Sequence, residues 1–231
     1  MMAEHRFGKP AALARALAAD IGDWLAGSLA VRPRASLVLS GGSTPVPLFH
    51  ALREIDIDWS RVDITLADER WVAPEHADSN EGLLRRELLQ GAVGAARFFP
   101  MKTAAATPAE GVAECDRRLA DIARPFDVVV LGAGPDGHFA SLFPGTETLS
   151  QGLAAEGPIT CVACTPPAAP HPRLSLSLAA LLNTRRLVLH ITGEDKWAVY
   201  QRALADGEPH DLPLRAVFQQ NKVQPDVYWA P

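Results

Sequence analysis

The chain has 231 residues, 48% of them hydrophobic and 21% charged, with a formal net charge of −5. That composition fits a globular protein with one large α/β domain or two small ones. No apolar run approaches the ~20 residues of a membrane span. No signal-peptide core precedes Lys9, so a cytoplasmic address is expected. No basic face stands out, which gives no reason to expect a nucleic-acid partner; an anionic ligand would need a local group of cations.

Pro10 to Ser28 reads as an alanine-rich helix with Leu13, Leu17, Ile21, Trp24 and Leu25 at helical spacing. A strand over Ala35 to Leu39 leads through Ser40-Gly-Gly-Ser-Thr-Pro45 into a helix ending near Arg53. Thr44 suits the N-cap and Pro45 the first helical position. Gly41, Gly42, Ser43 and Thr44 then leave backbone N–H groups for a phosphate, although the lysine of GxxxxGK[ST] is missing. A well-capped turn explains the same residues.

Val62 to Leu66 is the next strand, and Asp68-Glu69-Arg70-Trp71 follows its carboxyl end. Charges packed this tightly suit a ligand site or a surface ion-pair network. Asp78-Ser-Asn-Glu81 opens a helix as a capping box, and Thr107-Pro-Ala-Glu110 repeats that signature before a helix to about Arg124.

Phe126 to Gly145 carries the most information. Asp127 to Leu131 has the length of a buried strand. Gly132, Gly134 and Gly137 permit a tight turn, and Asp136 as N-cap sets His138 at the start of a short helix ended by Pro144-Gly145. The positive end of the helix dipole disfavours a cationic imidazole there, leaving the neutral form that accepts a proton. The glycines also satisfy GxGxxG. Pro135 and Asp136 inside the loop, the short helix, and a strand over Ile159 to Thr165 ending without an acid argue against a dinucleotide. A histidine satisfied within a structural turn is the other reading.

After a proline-rich loop, Arg173 to Leu178 alternates with period two, and Arg186 to Thr192 forms another strand. Glu194 to Leu204 is a helix ended by Gly207. Lys196 falls in its first turn, where the dipole costs a cation ~0.3–1 kcal/mol. An adjacent anion explains that placement, and so does pairing with Glu194 or Asp195. Val227 to Trp229 closes a sheet edge. Cys161 and Cys164 lie on opposite faces of a strand and, with Cys115, read as buried thiols. No His, Cys or carboxylate set has metal-ligand spacing, so neither metal nor cofactor is expected.

The alternation of strands and helices predicts a doubly wound α/β fold, a mostly parallel sheet with helices on both faces, in a single domain over 1–231. In such a sheet these groups, lying at strand ends, converge on one edge. Ser43, Thr44, Arg173 and Lys196 supply phosphate donors, His138 a base, and Asp68 and Asp136 carboxylates. A small phosphorylated, polyhydroxylated substrate fits that inventory.

The motifs LVLSGGSTP (37–45), ADERWV (67–72), DSNEGLLRRELL (78–89), LGAGPDGHFASLFPG (131–145), RLSLSLAAL (173–181) and ITGEDKW (191–197) resemble, in order, the family that holds 6-phosphogluconolactonase and glucosamine-6-phosphate deaminase. The resemblance implies a NagB/RpiA/CoA-transferase-like fold, and hydrolysis of 6-phospho-D-glucono-1,5-lactone in the oxidative pentose phosphate pathway, by a monomer or homodimer. Asp68, Arg70, Asp136 and His138 become the expected catalytic residues. Gly41, Gly42, Ser43, Thr44, Gly137, Arg173 and Lys196 become the expected substrate contacts, with Arg70 or an N–H near Gly137 holding the oxyanion. The deaminases carry a glutamate five residues after the histidine, where this chain has Phe143. Lactone hydrolysis requires only a base for water and donors for an oxyanion, so the lactonase side is expected. A non-catalytic sugar-phosphate sensor is the competing class, but the chain shows no room for the DNA-binding segment of such regulators.

Overall fold

The computed structural model describes residues 3–158, 160–167 and 169–231. Its ten strands are β1 (Glu4–Arg6), β2 (Ala35–Leu39), β3 (Val62–Leu66), β4 (Asp68–Arg70), β5 (Arg97–Phe99), β6 (Phe126–Leu131), β7 (Cys161–Cys164), β8 (Arg173–Leu176), β9 (Thr184–Thr192) and β10 (Pro225–Ala230). The helices are α1 (Pro10–Val31), α2 (Val46–Leu52), α3 (Asn80–Glu87), α4 (Pro108–Leu119), α5 (Leu149–Leu153), α6 (Leu178–Leu182), α7 (Glu194–Leu204) and α8 (Arg215–Gln219).

Seven strands form one sheet in the order β1-β10-β9-β6-β2-β3-β5, parallel at every pairing. All residues of β2, β3 and β6 are buried, as a parallel sheet covered by helices requires. Each fully buried Leu, Ile or Val there contributes roughly 1.5–3 kcal/mol. The chain winds outward from β2 through β3 to β5, returns to β6 beside β2, and winds outward the other way through β9 and β10. The reversal lies between β2 and β6, and the crevice at the carboxyl ends of such a pair is where doubly wound sheets bind ligands.

The amino ends of the same strands are closed by ion pairs. Asp127 accepts from Ser28 Oγ and Arg32 at 2.6 Å each and from the Ser36 N–H at 2.8 Å. Asp63 accepts from Arg34 at 2.7 Å and Arg97 at 2.9 Å. Charge is thus paired off at one end of the sheet and left available at the other.

Several expectations need correction. The strands expected over 159–165 and 173–178 shorten to β7 and β8 and leave the main sheet. They join β4 in an antiparallel sheet of order β4-β8-β7. Ile159 lies outside the described residues. β10 is not an edge, because β1 pairs along its outer side; a three-residue strand carries too little periodicity to read. α4 ends at Leu119, five residues short of the expected Arg124. Its Thr107–Glu110 capping box forms as read, whereas α3 is capped one residue later than expected, by Ser79 accepting from the Gly82 N–H. The three cysteines are buried and free. Among the described residues, no helix is long and apolar enough to cross a membrane.

Candidate active site

A cleft of about 260 Å³ opens at the carboxyl ends of β2, β6 and β9. Gly41, Gly42, Ser43, Thr44, Asp68, Arg70, His138, Arg173 and Lys196 all line it.

The loop after β2 turns at Gly42, with φ +95°. Among the described residues, none of the N–H groups of Gly41, Gly42, Ser43 and Thr44 donates a hydrogen bond. Four free donors in one turn form a concave anion-binding surface. Pro45, not Thr44, occupies the N-cap position of α2. The Thr44 hydroxyl instead accepts from Lys196 Nζ at 2.8 Å, which brings the first turn of α7 onto the loop. Burial holds the Lys196 ammonium below its usual range.

The loop after β6 is not a helix start. Residues 132–138 close on themselves, with the Gly134 N–H donating to the His138 carbonyl at 2.9 Å and the Gly137 N–H to the Gly134 carbonyl at 3.0 Å. A tight reversal bridged between Phe139 and Leu142 follows. The helix-dipole argument for His138 therefore fails, because residues 138–145 carry no helix. The ring is instead positioned by local contacts. Asp136 accepts from the His138 backbone N–H at 3.2 Å, and its Oδ1 lies 2.5 Å from His138 Nδ1. Gly134 is required by close approach: a Cβ there would lie 2.0 Å from the imidazole. Burial pushes the Asp136 carboxyl up, but the hydrogen bond and charge of His138 outweigh it and hold the group below its usual range.

Gly137 stands outside the cleft. Its N–H is engaged with Gly134, and its carbonyl accepts from the Leu214 N–H at 2.8 Å. It has no donor free for an oxyanion. Asp136 also stands behind the imidazole and not among the lining residues.

The third wall is the small sheet, where Arg70 and Arg173 face each other in register. Asp68 is buried, accepts from Ser141 Oγ at 2.5 Å, and lies 3.9 Å from Arg173 Nη1. Burial lowers the Arg173 guanidinium, and Asp68 opposes that shift. The Nε atoms of Arg70 and Arg173 are buried without a partner among the described residues. Two orphaned guanidinium donors beside four free amides amount to a strong demand for an acceptor.

The model of the glucosamine-6-phosphate isomerase/6-phosphogluconolactonase family matches residues 8–229. The chain belongs to this family. It is 42% identical to a 6-phosphogluconolactonase of Rhizobium meliloti over 98% of each chain. Against one from Pseudomonas aeruginosa it is 40% identical, over 97% of this chain and 93% of the other. The crystal structure of a 6-phosphogluconolactonase from Shewanella baltica superposes with a TM-score of 0.97 at 44% identity, covering 100% of this chain and 98% of that one.

Against that family background, two cleft residues and the buried carboxylate that anchors one of them escaped sequence reading. Asn80 lines the cleft at 1% exposure; its Nδ2 donates to the Asp68 carbonyl at 2.9 Å while its Oδ1 has no partner. It sat inside a quoted motif but read as part of a helix cap. Glu69 is fully buried and accepts the N–H groups of Arg70, Asn80 and Glu81, anchoring α3 to β4; burial pushes its carboxyl up to about 7 against those donors. His190 lines the cleft from β9 at 3% exposure, hidden in sequence by the apolar run around it. Burial, with Lys196 adding its charge, lowers its imidazole to about 4.

Proposed function

We propose that the chain hydrolyses 6-phospho-D-glucono-1,5-lactone to 6-phospho-D-gluconate, as the lactone-opening step of the oxidative pentose phosphate pathway in the cytoplasm. The observation that carries this reading is an oriented imidazole opening into the same cleft as a cation-backed loop of free amides. The phosphate docks on residues 41–44 with Arg173 and Lys196 supplying charge. Asp136 accepts the Nδ1 proton of His138, which leaves Nε2 as the acceptor for a proton from water. Water attacks the C1 carbonyl as that proton moves to Nε2. The tetrahedral oxyanion is held by Arg70, with its unpartnered Nε–H, since Gly137 cannot serve. Collapse expels the ring oxygen, which takes back the proton from the imidazole. Asp68, fixed by Ser141, balances the two guanidinium groups.

Phe143 supports hydrolysis over deamination. Its ring occupies the space beside His138 where the resemblance places a glutamate in deaminases, so a carboxylate relay to a ring oxygen and amine is lacking. The test is direct. Acid release from the phosphorylated lactone should be fast, and glucosamine 6-phosphate should yield no ammonia. Ammonia release without lactone hydrolysis would reverse the assignment, and binding of either compound without turnover would make the chain a sensor.

A further inference from the structure

Beside the cleft the fold assembles a cluster that sequence spacing does not announce. One nitrogen from each ring of His76 and His171 and one carboxylate oxygen of Asp78 lie within 4.8 Å of one another. His76 and Asp78 come from the loop before α3, and His171 from the loop before β8, 93 positions beyond Asp78. His171 Nε2 is 2.9 Å from Asp78 Oδ2, and His76 Nδ1 is 3.8 Å from the same oxygen. The two rings meet edge to face with centroids 5.2 Å apart. The hydrogen bond from His171, followed by the charges around it, holds the Asp78 carboxyl below its usual range.

The geometry points to a divalent transition-metal site, suited above all to Zn²⁺, built from His76, Asp78 and His171 and acting as a clasp between these two loops. Two imidazoles and a carboxylate select Zn²⁺ over Mg²⁺ or Ca²⁺, which take oxygen ligands. Tetrahedral bonds of about 2.0–2.2 Å put neighbouring donors roughly 3.3–3.5 Å apart, and the separations of 2.9 and 3.8 Å fall on either side of that value. Binding then requires His76 Nδ1 to give up the Asp78 backbone N–H, from which it accepts at 3.1 Å. Three protein ligands on an exposed rim leave the fourth position for water. Arg70 lies close enough to weaken the site electrostatically, but its Nη1 is turned to the Asp78 carbonyl at 2.7 Å and not to the carboxylate.

The clasp bears on the cleft through the backbone. The Trp71 N–H donates to the Pro172 carbonyl at 2.8 Å, and Arg70 and Arg173 are register partners just beyond. Joining the two loops through a metal therefore steadies the strand ends that carry both guanidinium groups. The proposal does not depend on which substrate the cleft takes.

Calorimetric titration of the chelator-treated full chain with Zn²⁺, paralleled by Co²⁺ absorption, tests it without substrate. One equivalent should bind, with tetrahedral Co²⁺ bands. His76→Ala and His171→Asn should each weaken binding by more than the about 10–100-fold typical of losing an outer-shell partner. Asn tolerates the left-handed backbone at His171, φ +69°, so that variant should fold with an unchanged melting temperature in the metal-free state. Excess Mg²⁺ should leave the Zn²⁺ isotherm unmoved. Absence of Zn²⁺ binding, displacement by Mg²⁺, or one-equivalent binding that survives in the double variant would overturn the assignment.

Discussion

His138 and Phe143 stack ring on ring, with centroids 3.9 Å apart and planes 28° from parallel. The Arg173 guanidinium carbon packs over the same phenyl ring at 5.1 Å. One apolar side chain thus spaces the proposed base from the cation proposed to bind phosphate. Phe143→Leu keeps the site apolar but removes the flat surface. An aromatic contact is worth ~0.5–1.5 kcal/mol beyond its buried area, so kcat/KM should fall by about 2- to 12-fold in steady-state assays. Unchanged constants would show that the ring does not position His138.

The pairing of His138 with Asp136 makes a graded expectation. Positioned acid–base catalysis is worth roughly 10²–10⁴-fold, so His138→Ala should lower kcat by that range while KM stays near the wild-type value. Asp136 touches the imidazole and not the cleft, so Asp136→Asn should cost less. If Asp136→Asn proves as damaging as His138→Ala, the accepting tautomer of the imidazole depends wholly on the carboxylate.

The strands that build the cleft were legible because parallel-sheet interiors write themselves as short apolar runs: β2 and β3 coincide with the expected spans, and β6 differs by one residue at its start. The convergence of His138, Lys196 and the 41–44 loop followed from topology, since strand ends at a switch point share one crevice. What could not be read depends on contacts between distant segments. A helix start and an Asx-type turn look alike around Asp136, and only the closure of Gly134 onto His138 separates them. Asn80 and His190 gain their meaning from Gly41 and Lys196, and nothing in their own neighbourhoods advertises those partners. Gly137 matched a motif yet spends its N–H within the turn.

Gly41 and Asn80 should be energetically coupled. A Cβ on Gly41 would lie 1.9 Å from Asn80 Oδ1, and Asn80 cannot retreat because its amide is fixed to Asp68 and its backbone to Glu69. Gly41→Ala must therefore displace the anion-binding loop and raise KM for the phosphorylated lactone. Adding Asn80→Ala removes the obstruction. In a double-mutant cycle the coupling should lie in the range of about 0.5–3 kcal/mol seen for touching residues, read as a partial return of KM. Strict additivity would show that the close approach is not what sets the loop.

Lys196 should matter for binding more than for turnover. Its ammonium reaches Thr44 at the anion loop, and a hydrogen bond to a charged group contributes about 1.5–3 kcal/mol. Lys196→Ala is accordingly expected to raise KM by roughly 10- to 150-fold with kcat little changed, the pattern of lost ground-state and transition-state binding alike. A fall confined to kcat would move Lys196 from the phosphate to the reacting carbonyl.

His190 sets an acid limit on stability. Its pKa drops from 6.5 to about 4 on folding because burial, then the Lys196 charge, disfavours the cation. Between those values the unfolded chain binds more protons than the folded one, so the contribution is complete above about pH 6.5 and is lost as pH falls toward 4. The full difference is on the order of 3 kcal/mol at 1.36 kcal/mol per pKa unit. Glu69 works with the opposite sign. Its pKa rises from 4.5 to about 7 on folding, so it favours the folded state toward acid and masks the histidine in the wild-type curve alone. Comparing denaturant midpoints of wild type and His190→Gln across pH 4–7 cancels the Glu69 effect. The variant should lose less stability on acidification than the wild type, and parallel curves would mean that the buried imidazole is already solvated or partnered well enough to titrate normally.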